Sequence, residues 1–143
     1  MKIIIREMKK SDLDQTAKVF HLAFNDAGEN WPVANAKKHV EENFLGGKCH
    51  FVAVIDNKIV GLLLGITSTR EPGKEIFLDT IAVLPRWQNK GIGERLWQRM
   101  IKFLKTNKFT GIRLTANREF KSFNWYRQKG FKESGWIEVY KKI

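Results

Sequence analysis

The chain has 143 residues, of which 43% are hydrophobic and 29% are charged, and these proportions are typical of one globular domain and exclude a disordered chain. The formal net charge of +11 favours an anionic partner such as nucleic acid or a phosphorylated cofactor, with a merely solvated basic surface as the competing explanation. No apolar run approaches the roughly 18 residues of a membrane helix, no signal-peptide pattern is present and Cys49 is the single cysteine, so we expect a cytoplasmic protein without a membrane or an internal disulfide.

The first half of the chain predicts a strand, two helices and a hairpin. Residues 2–8 are short and β-branched, which indicates a strand. Apolar residues then recur at helical spacing from Leu13 to Phe24, and a second helix is predicted from Val33 until the glycine pair 46–47. Two segments rich in β-formers flank Asn57, so we expect them to form an antiparallel hairpin.

The second half alternates strands and helices. The segment 75–83 predicts a strand, and a long helix is expected from about residue 92 to 106. A short strand follows at 111–116, then a helix that ends at Gly130 and a final hairpin around Gly135. This order predicts one domain over residues 1–143, of the mixed α/β class, with parallel and antiparallel neighbours in one sheet.

The stretch "RWQNKGIGERL" (86–96) is the strongest local signal. Gly91 and Gly93 stand between a strand and a helix, where backbone N–H groups are unpaired and the helix dipole is positive. Glycines let the backbone approach an anion closely, and Arg86 and Lys90 add positive charge. The doublet therefore predicts an anion site, although a plain turn at the start of a helix explains it equally well in isolation.

Two common phosphate loops are excluded at this turn. A P-loop requires a lysine directly after its last glycine, and Glu94 occupies that position. A dinucleotide-binding loop requires a third glycine, and Leu96 occupies its place.

The wider context resembles the GNAT superfamily (GCN5-related N-acetyltransferases). Gln88, Gly91 and Gly93 match its Gln/Arg-x-x-Gly-x-Gly/Ala signature, after the Val-x-Pro strand end formed by Val83 and Pro85. Downstream, "NWYRQKGF" resembles the Tyr-x-x-x-Gly-Phe ending of the family. The resemblance covers essentially the whole chain and implies the acyl-CoA N-acyltransferase fold. That fold has a mostly antiparallel sheet of six to seven strands, flanked by about four helices.

By this resemblance the chain is an acetyltransferase that moves the acetyl group of acetyl-CoA to a primary amine by direct attack in a ternary complex. The resemblance also implies a set of residues that bind acetyl-CoA, from the fourth strand, the glycine loop and the region before the tyrosine. They are Ile81, Ala82, Val83, Gln88, Asn89, Lys90, Gly91, Ile92, Gly93, Glu94, Asn117 and Asn124.

Two residues are the candidates for catalysis. Tyr126 matches the family tyrosine that protonates the departing thiolate, and packing in an aromatic segment is the alternative explanation. Asp79 is a candidate base or amine-orienting group, because strand alternation places it on one side with Ile81 and Val83. Pairing of Asp79 with one of many lysines is the competing interpretation. Glu75 is expected on the same side as Asp79.

Other histidines and acids are expected to have ordinary roles. Glu29, His21 and His39 lie in or beside the helices that often form the acceptor wall, and each is expected to be a surface or capping residue. Cys49 is expected to be a buried small hydrophobe rather than a nucleophile.

One position departs from the family pattern. The asparagine that the family often places seven residues before the tyrosine is Glu119 here. Asn117 and Asn124 are the nearby asparagines, so either is a candidate for the contact with the pantetheine arm.

The acceptor and the assembly are left open by the sequence. Small amines and peptide or protein amines are all acceptors within the superfamily, and a homodimer is one option for the oligomeric state. We expect no metal, no membrane and no specific nucleic acid. A non-catalytic acyl-CoA sensor and a basic nucleic-acid-binding module are the alternatives from other classes, the latter because of the charge and the five tryptophans.

Overall fold

The computed structural model describes residues 2–143, and the chain forms two compact units, one ending at Arg113 and the other running from Leu114 to Ile143. The elements of the first unit are β1 (Ile4–Glu7), α1 (Leu13–Asp26), α2 (Val33–Leu45), β2 (His50–Ile55), β3 (Lys58–Arg70), β4 (Gly73–Val83), α3 (Ile92–Thr106) and β5 (Gly111–Arg113). The second unit contains α4 (Lys121–Gln128). Among residues 2–143, no helix combines the length and the apolar composition that crossing a membrane requires.

The five strands form one sheet in the order β1-β2-β3-β4-β5. Neighbours are antiparallel except β4 and β5, which are parallel. The predicted mixed, mostly antiparallel α/β class is therefore confirmed, as is the element order as far as α4. Asp56 and Asn57 have φ of 50° and 63°, the values of a two-residue turn with both central residues left-handed, so the predicted hairpin at Asn57 is confirmed too.

The strand count is the difference between sequence and structure. Five strands are present in the described chain instead of six to seven, because residues 131–143 form no hairpin around Gly135. Apolar residues occur there in adjacent pairs, at 136–137 and 139–140, and all four side chains are more than four-fifths exposed. A strand needs alternation that buries one face, and this segment lacks that pattern.

The core lies on both faces of the central strands. One face packs against α1 and α2 through side chains such as Phe20, Val40 and Leu62. On the opposite face a Cβ on Gly61 would touch the side chains of Ile92 and Leu96, so α3 approaches the sheet closely there. Because both faces of the sheet are covered, every residue of β2 is buried, which explains its continuous apolar sequence.

Asp12 anchors the start of the helical layer to β1. Its carboxylate accepts two hydrogen bonds from Arg6, at 2.7 and 3.0 Å, and a third from the Lys9 amide at 2.7 Å. Hydrogen bonding from Arg6, followed by that from Lys9, holds the pKa of Asp12 below its ordinary value of 3.8. The depressed pKa means that the carboxylate stabilises the fold above this value and that its contribution is lost as the pH falls through the lowered pKa.

Replacing Asp12 should therefore destabilise the protein in a pH-dependent way. We expect Asp12→Asn to cost about 2 kcal/mol at pH 7, since hydrogen bonds to a charged group are lost at a largely buried side chain. Melting curves of both proteins should converge as the pH is lowered below 3.8. Asp14→Asn is the matched control, because its exposed ion pair with Lys37 should contribute little. A pH-independent difference between Asp12→Asn and the parent would contradict the assignment.

Candidate functional site

The glycine turn forms the N-terminus of α3. Gly91 is the N-cap and has a φ of 80°, a left-handed conformation that favours glycine. The first helical hydrogen bond runs from the Arg95 N–H to the Gly91 carbonyl at 3.1 Å. The amides of Ile92 and Gly93 therefore precede the helical ladder and lie at the positive end of the helix dipole.

Open space surrounds the two glycines. A Cβ added to Gly91 or Gly93 would meet no heavy atom within 4 Å, so packing within the chain does not require glycine at residue 93. Arg86 and Lys90 are exposed close by in the sequence, whereas the Ile92 side chain is 1% exposed and lies in the core. The turn thus combines backbone N–H groups, positive charge and room for an anion.

The loop before α3 is tied back to β4 by a side chain. Gln88 donates a hydrogen bond from Nε2 to the Val83 carbonyl at 3.0 Å. Asn89 has a left-handed φ of 59°, and Glu94 accepts a hydrogen bond from Gln98 at 2.8 Å. The Gln88 side chain therefore connects the loop to the end of β4, and the loop's capacity to bind an anion lies chiefly in its backbone.

The last half of β4 has an unpaired edge. β5 pairs with β4 only over Glu75–Phe77, while β4 continues to Val83. Between Leu78 and Val83, β4 pairs with β3 on one side and with no described strand on the other. This free edge leads directly to the glycine turn, because only residues 84–91 separate β4 from α3.

The hydrogen-bond phase of β4 decides which backbone groups face the free edge. The Leu84 N–H donates to the Val60 carbonyl at 2.8 Å, and in an antiparallel pair alternate residues bond to the same neighbour. Ala82 therefore bonds towards β3, whereas the backbone groups of Ile81 and Val83 point to the free edge. Of the three residues predicted to offer backbone groups, Ile81 and Val83 are placed to do so and Ala82 is not.

Asp79 is the extra residue of a β-bulge. The sheet register pairs Leu64 with Thr80 and the next residue, Gly65, with Leu78, which leaves Asp79 with no residue opposite. A bulge of this kind shifts every later side chain of the strand by one position.

The bulge corrects the predicted face of Asp79. Asp79 Oδ2 lies 2.8 Å from Nε2 of His39 on α2 and accepts a hydrogen bond from the Thr80 hydroxyl at 2.6 Å. The side chains of Asp79 and Thr80 therefore both project towards α2. Val83 lies opposite Gly61, which faces α3, and Ile81, two residues earlier, has its side chain on the same side as Val83. The prediction that Asp79 shares a face with Ile81 and Val83 is therefore wrong, because simple alternation does not hold across a bulge.

The other acid of β4 has a structural partner. Glu75 lies below the bulge and accepts a hydrogen bond from Nε of Arg113 at 2.6 Å, across the short parallel pairing with β5. The predicted common side for Glu75, Ile81 and Val83 is wrong for the same reason as for Asp79. Glu75 is thus occupied in holding β5 against β4.

The His39 side chain lies among aromatic rings and beside Asp79 rather than on an open surface. Its ring packs 5.3 Å from the Phe20 ring and 5.2 Å from the Trp31 ring, measured between centroids. Its main-chain carbonyl accepts a hydrogen bond from Asn43 Nδ2 at 3.1 Å. The helical phase of α2 indicates this inward position, because His39 lies three residues after the buried Ala36 and four before the buried Asn43.

Glu29 and His21 have local partners. Glu29 accepts a hydrogen bond from the Trp31 indole at 2.8 Å. Nε2 of His21 lies 3.0 Å from Nδ2 of Asn25, whose side chain also bonds both backbone groups of Trp31. These contacts fix the connection between α1 and α2, in which Trp31 lies.

Tyr126 belongs to the second unit and lies on α4. Its ring packs against those of Trp125 and Phe131, at centroid distances of 5.2 and 5.6 Å. Burial raises the pKa of Tyr126 to about 12, so the phenol keeps its proton throughout the neutral range.

The two asparagines occupy different positions in the second unit. Asn117 accepts a hydrogen bond from the Glu119 amide through Oδ1 at 2.9 Å, and its carbonyl accepts one from the Phe120 amide at 3.1 Å. Asn117 therefore shapes the turn that leads into α4. Asn124 is exposed on α4, and its contact with a cofactor stays a prediction, as does that of Asn117.

Cys49 is fully buried, and burial raises the pKa of its thiol to about 12. A thiol with this pKa is a poor nucleophile, because the thiolate is the reactive form. Within residues 2–143, no three His, Cys, Asp or Glu side chains are grouped so as to hold a metal ion.

Comparison with known proteins identifies relatives over most of the chain. A family model described as the acetyltransferase (GNAT) family matches residues 16–131. A probable N-acetyltransferase, camello, from Xenopus tropicalis is 34% identical over 87 residues, which cover 60% of this chain and 39% of that protein. The chain thus matches about two-fifths of the length of this curated relative.

Solved structures share the fold at low sequence identity. A possible acetyltransferase from Clostridium difficile 630 superposes with a TM-score of 0.81 and 21% identity, covering 100% of this chain and 99% of that one. The aminoglycoside N-acetyltransferase AAC(6')-Iy in complex with CoA gives a TM-score of 0.75 and 19% identity, covering 99% and 95%. With the family model spanning residues 16–131, the chain belongs to the acetyltransferase (GNAT) family.

Proposed function

We propose that the chain binds acetyl-CoA and transfers its acetyl group to a primary amine by direct attack in a ternary complex. Membership of the acetyltransferase (GNAT) family supports acetyl transfer. The observation that carries the choice of donor is the free edge of β4, which runs directly into the open N-terminus of α3. A long ligand with amide groups at one end and a pyrophosphate at the other matches this sequence of binding groups.

The residues present fit such a donor. The pyrophosphate would bind the backbone amides of the segment 88–94, where a Cβ on Gly93 would meet open space. The pantetheine arm would pair with the backbone groups of Ile81 and Val83, in the manner of an added β-strand. The Val83 carbonyl already accepts a hydrogen bond from the Gln88 side chain. We therefore assign the other backbone groups of the free edge, those of Ile81 and the Val83 N–H, to the pantetheine arm.

Acetyl-CoA supplies an activated thioester, and the chain supplies polarisation and proton transfer. A backbone N–H on the free edge, such as that of Ile81, would stabilise negative charge on the thioester oxygen. Tyr126 would donate the proton that the leaving thiolate needs, and its raised pKa keeps that proton available at neutral pH. Asp79, two residues before Ile81, is the amine-side residue of this proposal.

Two observations favour different acceptors. The name of AAC(6')-Iy favours an aminoglycoside, whereas the net charge of +11 on this chain disfavours a polycationic acceptor. A strongly basic chain repels polycationic amines over long range, so acceptors of low positive charge are favoured. We therefore propose a small amine or a peptide amine with few other cationic groups as the acceptor class.

A panel of acceptors tests the proposal. The purified chain is incubated with acetyl-CoA and a set of amines that includes monoamines, amino acids, free N-terminal peptides, lysine peptides and aminoglycosides, and release of the CoA thiol is followed. We expect saturable acetyl-CoA binding and thiol release that depends on at least one acceptor. Binding without any acceptor-dependent release would support an acyl-CoA sensor instead, and absence of acetyl-CoA binding would reject the proposal.

A further inference from the structure

We propose that His39 is the base that takes a proton from the acceptor ammonium, with Asp79 as the positioning residue that fixes the imidazole. This assignment rests on the proposed acetyl transfer to an amine. The role of base, predicted for Asp79 on β4, is thereby assigned to His39 on α2. The supporting observation is the contact between His39 Nε2 and Asp79 Oδ2 at 2.8 Å.

The hydrogen bonds around Asp79 determine which imidazole nitrogen is basic. An ionised carboxylate only accepts hydrogen bonds, and Asp79 Oδ2 accepts one from the Thr80 hydroxyl at 2.6 Å. Nε2 of His39 has two polar neighbours, Asp79 Oδ2 at 2.8 Å, which accepts, and Asn43 Nδ2 at 3.3 Å, which can only donate. The shorter contact is the one with the carboxylate, and we assign the Nε2 proton to it because Asn43 Nδ2 also donates to the His39 carbonyl at 3.1 Å. The neutral imidazole is therefore the Nε2–H tautomer, and Nδ1 is the nitrogen with a lone pair that can accept a proton.

His39 has a different setting from the other two histidines of the chain. His50 is 2% exposed and uses Nε2 on the Gly47 carbonyl, while His21 is hydrogen-bonded to Asn25. The His39 side chain is 31% exposed, so a ligand can reach it, and its Asp79 partner is 18% exposed. Of the three, His39 is the histidine that pairs with a carboxylate, the arrangement that orients a base in many enzymes.

Trp31 is the aromatic neighbour of His39 that suits a cationic amine. Its ring lies 5.2 Å from the imidazole and is partly exposed, whereas Phe20 is 2% exposed and supports both rings from the core. An aromatic face attracts an ammonium group, and a partly apolar wall also favours its deprotonated form. Asp79 lies roughly 7 Å along β4 from Ile81, where the thioester is proposed to bind.

Asp79, on β4, is the charged group in contact with the imidazole. Glu29 is bound to the neighbouring Trp31, and His21 on α1 is bound to Asn25. On α2, Lys38 and Glu42 lie one and three residues from His39, and both are exposed.

With this assignment, the protons and bonds of the reaction balance. The ammonium gives one proton to His39 Nδ1, which returns it to solvent. The free amine attacks the thioester carbon, so a C–N bond forms and the C–S bond breaks, with the electron pair leaving on sulfur. The thiolate takes a proton from Tyr126, and the second amine proton, released as the amide forms, restores the phenol through solvent.

Substitution of His39 tests the role of the base. In His39→Gln an amide N–H can still donate to Asp79 but no proton acceptor remains. We expect kcat/KM for the amine to fall about 100-fold at neutral pH, with acetyl-CoA binding unchanged. The fall in kcat/KM on the acid side of the pH profile should disappear. Lys38→Gln, an exposed neighbour on the same helix, is the control and should keep both the rate and the profile.

A second variant and a spectroscopic readout do not depend on His39→Gln folding. Asp79→Asn should lower kcat and alter the acid side of the profile, and nitrogen NMR of the unmodified chain should show His39 as the Nε2–H tautomer. An Nδ1–H tautomer, or a full rate and unchanged profile in folded His39→Gln, would overturn the inference while leaving acetyl transfer intact. If the unmodified chain binds no acetyl-CoA or acetylates no amine, the proposed function fails, and the inference fails with it.

Discussion

The variant Gly93→Asp is expected to fold normally and to lose acetyl-CoA binding by about 100-fold, equivalent to about 2.7 kcal/mol. A Cβ at this position meets open space, so the chain itself accommodates a side chain there. An acid in the first turn of a helix is favourable, and glycine is a poor helix former, so the melting temperature should stay the same or rise. The new carboxylate would occupy the space of the pyrophosphate and would also repel it, since like charges a few ångströms apart are strongly unfavourable.

Gly93→Ala is the matched control for this effect. It also adds a Cβ and raises helix propensity, without adding charge, and the family signature accepts alanine at this place. We expect it to retain acetyl-CoA affinity within a few-fold. Calorimetric titration of the three proteins measures the difference directly. Equal affinity in Gly93→Asp and the unmodified chain would show that the anion does not bind at the start of α3.

The variant Tyr126→Phe is expected to lower kcat about 100-fold while leaving acetyl-CoA affinity unchanged, because a positioned proton donor contributes at least this much. Phenylalanine keeps the ring contacts with Trp125 and Phe131, so the fold should be preserved. The pKa of about 12 adds a pH prediction. A tyrosine with an ordinary pKa of about 10 would lose its proton in alkaline solution, whereas Tyr126 should remain an acid beyond that point.

Tyr140 provides the control for Tyr126, since the chain has two tyrosines and Tyr140 is 86% exposed. Tyr140→Phe should keep the full rate and the full pH profile. Steady-state kinetics up to alkaline pH checks both expectations. An unchanged kcat in Tyr126→Phe would contradict the role as acid. A loss of rate near pH 10 that disappears in Tyr126→Phe would contradict the raised pKa.

Local sequence signals predicted the fold well where one period or one turn determines the structure. The hairpin at Asn57 and the glycine turn at Gly91 both follow from backbone conformations that few residues adopt, so short patterns identify them. The final hairpin was predicted around Gly135, with no partner surface identified for its side chains. Its side chains, such as Trp136 and Tyr140, remain exposed, because propensity does not supply a surface to bury them against.

The candidate site likewise has features that are local in sequence and features that depend on distant contacts. The anion-binding turn is continuous in sequence and could be recognised from spacing. The contact of His39 with Asp79 joins residues 40 positions apart, and it depends on a bulge that no local pattern announces. Ala82 illustrates the same limit, because the direction of its backbone groups depends on the pairing phase with β3.

Amide NMR during titration with acetyl-CoA tests the central claim most directly, because it reports where the donor binds. We expect saturable shifts concentrated at the amides of Ile81 and Val83 and at those of residues 88–94, with smaller changes elsewhere in the first unit. Absence of saturable shifts, or shifts spread over exposed lysines without these amides, would contradict the assignment of the β4 edge and the α3 N-terminus as the donor site.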